Sequence, residues 1–319
     1  MLHKHSGEPG SVAILYHSAA GGTRVVAELI AELLTVYLAR VPAVRAGGLH
    51  PSSAPRVRAT SITSQVACEQ AERADFIVLC YPTYFLRPST SMTEFINRLA
   101  TRCSGKPVYL TTTYELYTEN SLRACAIAAK NNGMVVVGSA ALRAPGSDLT
   151  CVLPDWLCAA LYRFERRFPA KLSSAARRIA TLAVHGGREQ IPRMKWYTPV
   201  AHALQRAFFD GFLESRNHIR ILPERCTDCG ACIARCHRGA WVRSDDGITH
   251  RPDRCELCTA CIHHCPELAI VLAPVLKNNR RLDAGHYAGL KNRIRKALVR
   301  RSGASIQVSA SMPASTPVP

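Results

Sequence analysis

Apolar runs and helical stripes alternate along the first half of the chain. "SVAILYH" (11–17) is a short apolar run that predicts a strand. "TRVVAELIAELLTVYLAR" (23–40) repeats its apolar positions with helical period and predicts a long helix. "ADFIVLCY" (74–81), "PVYLTTT" (107–113) and "GMVVVGSAAL" (133–142) predict further strands, and "RVRATSI" (56–62) is another strand candidate. "SMTEFINRLATR" (91–102) and "ENSLRACAIAAKN" (119–131) predict the helices between them. Such alternation predicts a doubly wound α/β fold, a parallel sheet covered on both faces. Ligands of that architecture bind at the carboxyl ends of the strands.

The second half is patterned differently. "GGREQIPRMKWYTP" (186–199) reads as a loop and "VAHALQRAFFDGFLES" (200–215) as a helix. Ala201, Leu204, Phe208 and Phe212 share one face of that helix and are placed to pack two units together. "GHYAGLKNRIRKALVRR" (285–301) sets Tyr287, Leu290, Ile294 and Leu298 on one stripe among basic residues. The tail 302–319, small, polar and proline-bearing, is expected to be disordered.

Charge sharpens this division. The chain of 319 residues has a formal net charge of +18. Residues 11–150 hold 13 basic and 9 acidic side chains, and residues 151–221 hold 12 and 5. Residues 222–274 hold 6 and 7, and residues 276–301 hold 9 and 1. The excess therefore flanks the near-neutral segment 222–274. For the basic helix three readings stand: docking on the protein's own body, on an acidic partner, or on an anionic membrane surface. Lys291, Arg293, Arg295 and Lys296 are the partner-docking candidates. No nucleic-acid-binding motif accompanies the charge, so no nucleic-acid partner is expected. No apolar run reaches the roughly 18 residues of a membrane span, and the first apolar run lacks a signal-peptide continuation. A cytoplasmic location is expected.

The near-neutral segment carries eight of the 14 cysteines. "CTDCGACIARC" (226–236) and "CELCTACIHHC" (255–265) both read C-x2-C-x2-C-x3-C. Structural zinc usually takes two C-x2-C pairs on separate turns. Three thiols at i, i+3 and i+6 suit three corners of a cubane instead, and the fourth of each run ligates the other cluster. The expected ligand sets are Cys226, Cys229, Cys232 and Cys265 for one 4Fe–4S cluster, and Cys236, Cys255, Cys258 and Cys261 for the other. His263 and His264 are expected to be exposed, because the thiol set is complete without them. The remaining Cys68, Cys80, Cys103, Cys125, Cys151 and Cys158 sit among apolar neighbours and read as buried, reduced side chains.

In the first half, the loop after the first strand is "SAAGGT", Ser18, Ala19, Ala20, Gly21, Gly22 and Thr23, opening a helix. Small residues let backbone amides close round an anion at the positive end of a helix, and the two hydroxyls add donors. The same edge receives Pro82, Thr83, Tyr84 and Phe85 after one strand and Tyr114 and Tyr117 after the next. A phosphate cradle beside aromatic rings suits a flat ring with a phosphate tail; the bland alternative is ordinary tyrosine packing. Tyr84 and Tyr117 are the candidates for flanking the ring.

These motifs resemble known families. "SAAGGT" is similar to the flavodoxin phosphate loop S-G-T-G-N-T, with Ala20 in place of threonine and Gly22 in place of asparagine. "ADFIVLCYPTYFLRPSTSMTEFI" resembles that family's flavin-flanking loop. The resemblance spans about residues 11–185. "HIRILPERCTDCGAC" and "GITHRPDRCELCTACIHHCPELAIVLAP" resemble a bacterial-type two-cluster ferredoxin, Pro266 included, over about 218–275. His237 departs from that pattern, standing where a proline usually follows the fourth cysteine; it reads as tolerance at a surface turn or as a tuning of the second cluster. Together, and with "LPDW" at 153–156, nearly the whole chain resembles prokaryotic flavodoxin–ferredoxin fusion proteins. The resemblance implies a flavodoxin-like α/β domain, a linker with a helix at 186–217, a small α+β ferredoxin domain and a basic helical tail at 276–301. It further implies FMN, two 4Fe–4S clusters, and electron transfer with a redox partner protein. An FMN-dependent reductase of an organic substrate and a redox-sensing regulator are the alternatives. No Rossmann dinucleotide fingerprint accompanies these motifs.

Overall fold

The computed structural model describes residues 11–39, 57–84, 86–115, 118, 120–144, 147, 156–157, 167–190, 196–205, 219–272, 281–282 and 284–302. Phe85, Tyr117, Cys151, Cys158, Phe208, Phe212, most of "LPDW" and the tail beyond Ser302 lie outside them, as do the side chains of Ala201 and Leu204.

Strands β1 (Val12–Tyr16), β2 (Ala59–Ser61), β3 (Phe76–Tyr84), β5 (Pro107–Tyr114) and β6 (Val135–Arg143) form a parallel sheet in the order β2-β1-β3-β5-β6. Counting only these strands the order is 2-1-3-4-5, the flavodoxin-like winding, with its switch point between β1 and β3. The short β4 (Arg87–Pro88) folds back antiparallel on the end of β3. β3 thus runs through Pro82, Thr83 and Tyr84, which the sequence placed in the following loop.

Alternation decides which face each side chain covers. Ile14 of β1 points into one apolar layer, and Ala13 and Leu15 point into the other. The first layer is closed by α1 (Gly22–Leu38), α5 (Phe168–His185) and α9 (Ala284–Ser302). The second is closed by α2 (Ala67–Arg73), α3 (Thr90–Leu99) and α4 (Ser121–Asn131). Neither α2 nor α5 was expected from the sequence. α2 is short, and α5 is rich in alanine, whose helical stripe of Leu172, Ala175, Ala176, Ile179 and Ala180 is weakly hydrophobic but fully covered. α6 (Thr198–Gln205) begins close to the predicted helix at 200.

The basic helix docks on the body. Tyr287, Ile294 and Leu298 are buried against α1 and α5, with Leu290 beside them. On α1, Glu28 accepts from Lys291 at 2.6 Å, and Glu32 accepts from Arg295 Nε at 2.8 Å. Of the four docking candidates, Lys291 and Arg295 are therefore committed within the molecule. Arg293 and Lys296 are exposed and line an open groove with Ala297 and Arg300.

The smaller unit, 219–272, has β7 (Ile219–Ile221) antiparallel to β10 (Ile270–Leu272), and a hairpin of β8 (Trp241–Ser244) and β9 (Gly247–His250). Its helices α7 (Ala231–Arg235) and α8 (Ala260–His264) are single short turns, each after a 3-10 turn at Pro223–Arg225 or Pro252–Arg254. No helix among the described residues is long and apolar enough to cross a membrane.

Candidate functional site

The two cysteine loops have the same backbone. Left-handed residues occur at Asp228 (φ 54°), Gly230 (φ 73°) and Gly239 (φ 62°) in the first half. They recur at Leu257 (φ 55°), Thr259 (φ 57°) and Leu268 (φ 52°) in the second. Such a conformation costs an ordinary residue about 1–2 kcal/mol. Holding it at three matched places wraps each loop around its thiols. The N–H of Ala240 lies 3.2 Å from Cys236 Sγ, and that of Ala269 lies 3.3 Å from Cys265 Sγ, again a matched pair.

Cys226, Cys229, Cys232 and Cys265 line one small pocket, walled by Ile221, Ile248 and Ile270. The tertiary fold therefore carries the last cysteine of the second run to the first three of the first run. On the other side, burial pushes the Cys261 thiol up, and Cys255 and Cys236 lie near enough to raise it further. Burial likewise raises Cys258 and, to about 11, Cys232. Cys80 and Cys125 are buried and raised to about 12, again by burial; Cys103 is buried and Cys68 half-buried.

At the sheet edge, α1 starts with no acidic residue in its first turn and no side-chain cap on its N-terminus among the described residues. Its free amides and the Gly21 turn (φ 126°) fit an anion such as a phosphate. Ser18 and Ala19 are half-buried and Ala20 is buried. The ring of Tyr287 lies over Gly21: a β-carbon there would stand 2.5 Å from Tyr287 Cδ2. Thr23 differs from the expected donor, because its buried hydroxyl pairs with Thr113 Oγ1 of β5 at 2.7 Å. Thr83 Oγ1 lies 2.8 Å from Thr112 Oγ1 and 2.9 Å from Ser121 Oγ, so it ties β3 to β5 and α4. Tyr84 and Tyr114 end their strands, both half-buried.

The smaller unit sits on this edge. Arg238 pairs with Glu94 of α3, and Ser147 Oγ donates to the Cys258 carbonyl at 3.5 Å. His263 is a correction: it is 2% exposed, its Nε2 is 2.8 Å from the Ser147 carbonyl, and its Nδ1 accepts the Leu282 N–H. It fastens the units together, and burial lowers its pKa to about 4. His237 is no idle surface turn either. Its ring meets that of His17 at 4.8 Å between centroids, and His17 in turn meets Tyr84 edge-on at 6.3 Å. Glu256 joins these two histidines. His17 and Glu256 were missed in the sequence because each is a lone polar residue beside a stronger motif. Only the unproline-like His237 carried a signal.

No family model matches the chain, and no curated protein matches it. Among solved structures it is similar to a flavodoxin from the domain Archaea, at 15% identity over 54% of this chain and 98% of that one, with a TM-score of 0.36. It is similar to the flavodoxin, WrbA-like protein from Agrobacterium tumefaciens at 17% identity, over 56% and 99%, with a TM-score of 0.38. It is also similar to the two-electron reduced Megasphaera elsdenii flavodoxin at 19% identity, over 52% and 98%, with a TM-score of 0.35. The strand order, not these likenesses, defines the fold.

Proposed function

We propose that the chain is an electron-transfer iron–sulfur flavoprotein, built as a flavodoxin–ferredoxin fusion. The observation that carries this reading is the cavity shared by Cys226, Cys229, Cys232 and Cys265, framed by a loop that is repeated around Cys255, Cys258 and Cys261. The all-thiol donor set and the crossed fourth ligand are what a pair of 4Fe–4S clusters requires. Cys236 then completes the second set, and the smaller unit is an α+β two-cluster ferredoxin domain. FMN supplies one- or two-electron exchange and each cluster one-electron exchange.

This chain's residues do the rest. The α1 amides and the Gly21 turn hold the phosphate, with Ser18 as the available hydroxyl. Tyr84 and Tyr114 stand at the strand ends for the ring, and Thr83 and Thr23 fix β3 and α1 to β5. His263, Ser147 and Arg238 hold the cysteine unit against the same edge. His17 and His237 give a continuous side-chain path from Tyr84 to the residue next to Cys236. The outward Arg293, Lys296 and Arg300 offer a face to an acidic redox partner.

The test is cofactor analysis of anaerobically purified, reconstituted protein. About eight irons, about eight sulfides and one FMN per chain are expected. Stoichiometric zinc with little iron overturns the cluster assignment, and tightly bound FAD overturns the flavin assignment.

A further inference from the structure

His17 directly follows β1, His237 follows Cys236, and Glu256 follows Cys255, so three remote segments meet at one point between the two units. His17 Nε2 and His237 Nε2 are 3.2 Å apart. Glu256 Oε1 is 3.3 Å from His17 Nε2 and 3.0 Å from His237 Nε2. We propose that these three atoms are the protein ligands of a mononuclear divalent transition-metal ion, a site separate from the cysteine sets.

Three features support a cation over a plain hydrogen-bonded cluster. First, the spacing is that of neighbouring ligands: a metal about 2.1 Å from each atom stands about 1 Å off their plane. Second, Glu256 Oε1 is buried and has no hydrogen-bond donor of good geometry, although two imidazoles lie close. Its side chain is 4% exposed, and a carboxylate that far from water needs positive charge, of which Arg238 nearby supplies part. Its other oxygen is already served by the Ser91 N–H at 3.2 Å and the Ser91 hydroxyl at 3.1 Å. Third, His17 is set up as a ligand, while His237 Nε2 also lies 2.9 Å from Ser91 Oγ, a contact that binding a cation would exchange. Ser89 Oγ lies 2.8 Å from His17 Nδ1; with the proton on Nδ1, the Nε2 lone pair faces the centre.

Two imidazoles and one carboxylate, with no sulfur, select Zn²⁺ or Fe²⁺ over Ca²⁺ or Mg²⁺ and over thiophilic ions. His237 explains its own departure from the cysteine-motif pattern here, since a proline at that position offers no ligand. The ion would clamp the α/β domain to the cysteine unit.

The experiment uses the full chain after cluster reconstitution and chelation, titrated with Zn²⁺. One zinc per chain beyond the cluster iron is expected. Zinc-edge X-ray absorption should show nitrogen and oxygen ligands at about 2.0–2.1 Å. His17→Ala and Glu256→Gln should each weaken that zinc at least tenfold while iron and sulfide stay at parent levels. Glu256→Asp, which keeps the charge, should retain part of it. Equal zinc uptake by parent and His17→Ala overturns the site, as does uptake by none of them. Zinc ligated by sulfur, with iron and sulfide missing, would instead count against the cluster reading. Should His17→Ala fail to fold, His17→Gln and the ligand spectrum of the parent decide the matter.

Discussion

Tyr287 of the C-terminal helix lies against Gly21 of the loop after β1, near enough that a single methyl group at Gly21 would overlap the ring. A residue of the proposed phosphate cradle itself is thus covered by a segment from the other end of the chain.

That contact makes Gly21→Ala costly in two separable ways. The positive φ alone costs about 1–2 kcal/mol, and the overlap with Tyr287 adds to it. The melting temperature should fall clearly in the parent background. In Tyr287→Ala the same substitution should fall by less, leaving only the backbone part. Equal losses in both backgrounds would show that the ring exerts no pressure on the loop.

Crossed ligation predicts which cluster a cysteine deletion harms. Cys236→Ala should alter the cluster of Cys255, Cys258 and Cys261, and Cys265→Ala that of Cys226, Cys229 and Cys232. Paramagnetic resonance of the reduced variants reads the two centres separately. Loss of the cluster nearest in sequence in either variant refutes the pairing.

Docking of the basic helix should depend on acid. Burial would raise the carboxyl groups of Glu28 and Glu32, but hydrogen bonds and charge from Arg24, Lys291 and Arg295 outweigh it and hold both below 4.5. Acids depressed in this way stabilise the fold above their unfolded pKa, and that contribution is lost as the pH falls through the folded value. Hydrogen exchange of α9 amides should therefore accelerate, relative to the sheet, as the pH falls below the ordinary glutamate range. In Glu28→Gln/Glu32→Gln the helix should be less protected at neutral pH and its acid dependence shallower. An unchanged pH profile in that variant would assign the acid step to other groups.

Replacing Arg293, Lys296 and Arg300 with glutamine keeps helix propensity and removes the outward charge. Association with an acidic redox partner should slow, and its dependence on salt should flatten. The fold should be unaffected, since none of the three is tied to Glu28 or Glu32. An association rate and salt slope equal to the parent's would leave this face without a docking role.

Local patterning determined much of this protein. Period-two and period-3.6 apolar spacing is a property of neighbouring residues, so β1, β3, β5, β6, α1, α3 and α4 were legible from the chain alone. So were the small-residue loop and the doubled cysteine motif, because their chemistry lies within a few residues. Tertiary structure decided what depends on distant segments meeting. The alanine-rich α5 shows little hydrophobic contrast until it is covered, and the strand through Tyr84 exists because β4 folds back on it. Two of the six Lys and Arg residues of α9, Lys291 and Arg295, are spent on Glu28 and Glu32, which no local pattern reveals. His17, His237 and Glu256 come from three separate segments, and their meeting follows from where the cysteine unit lands on the sheet edge. A lone polar residue has no period, so its role appears only when packing strips away its water and leaves it the partners the fold supplies.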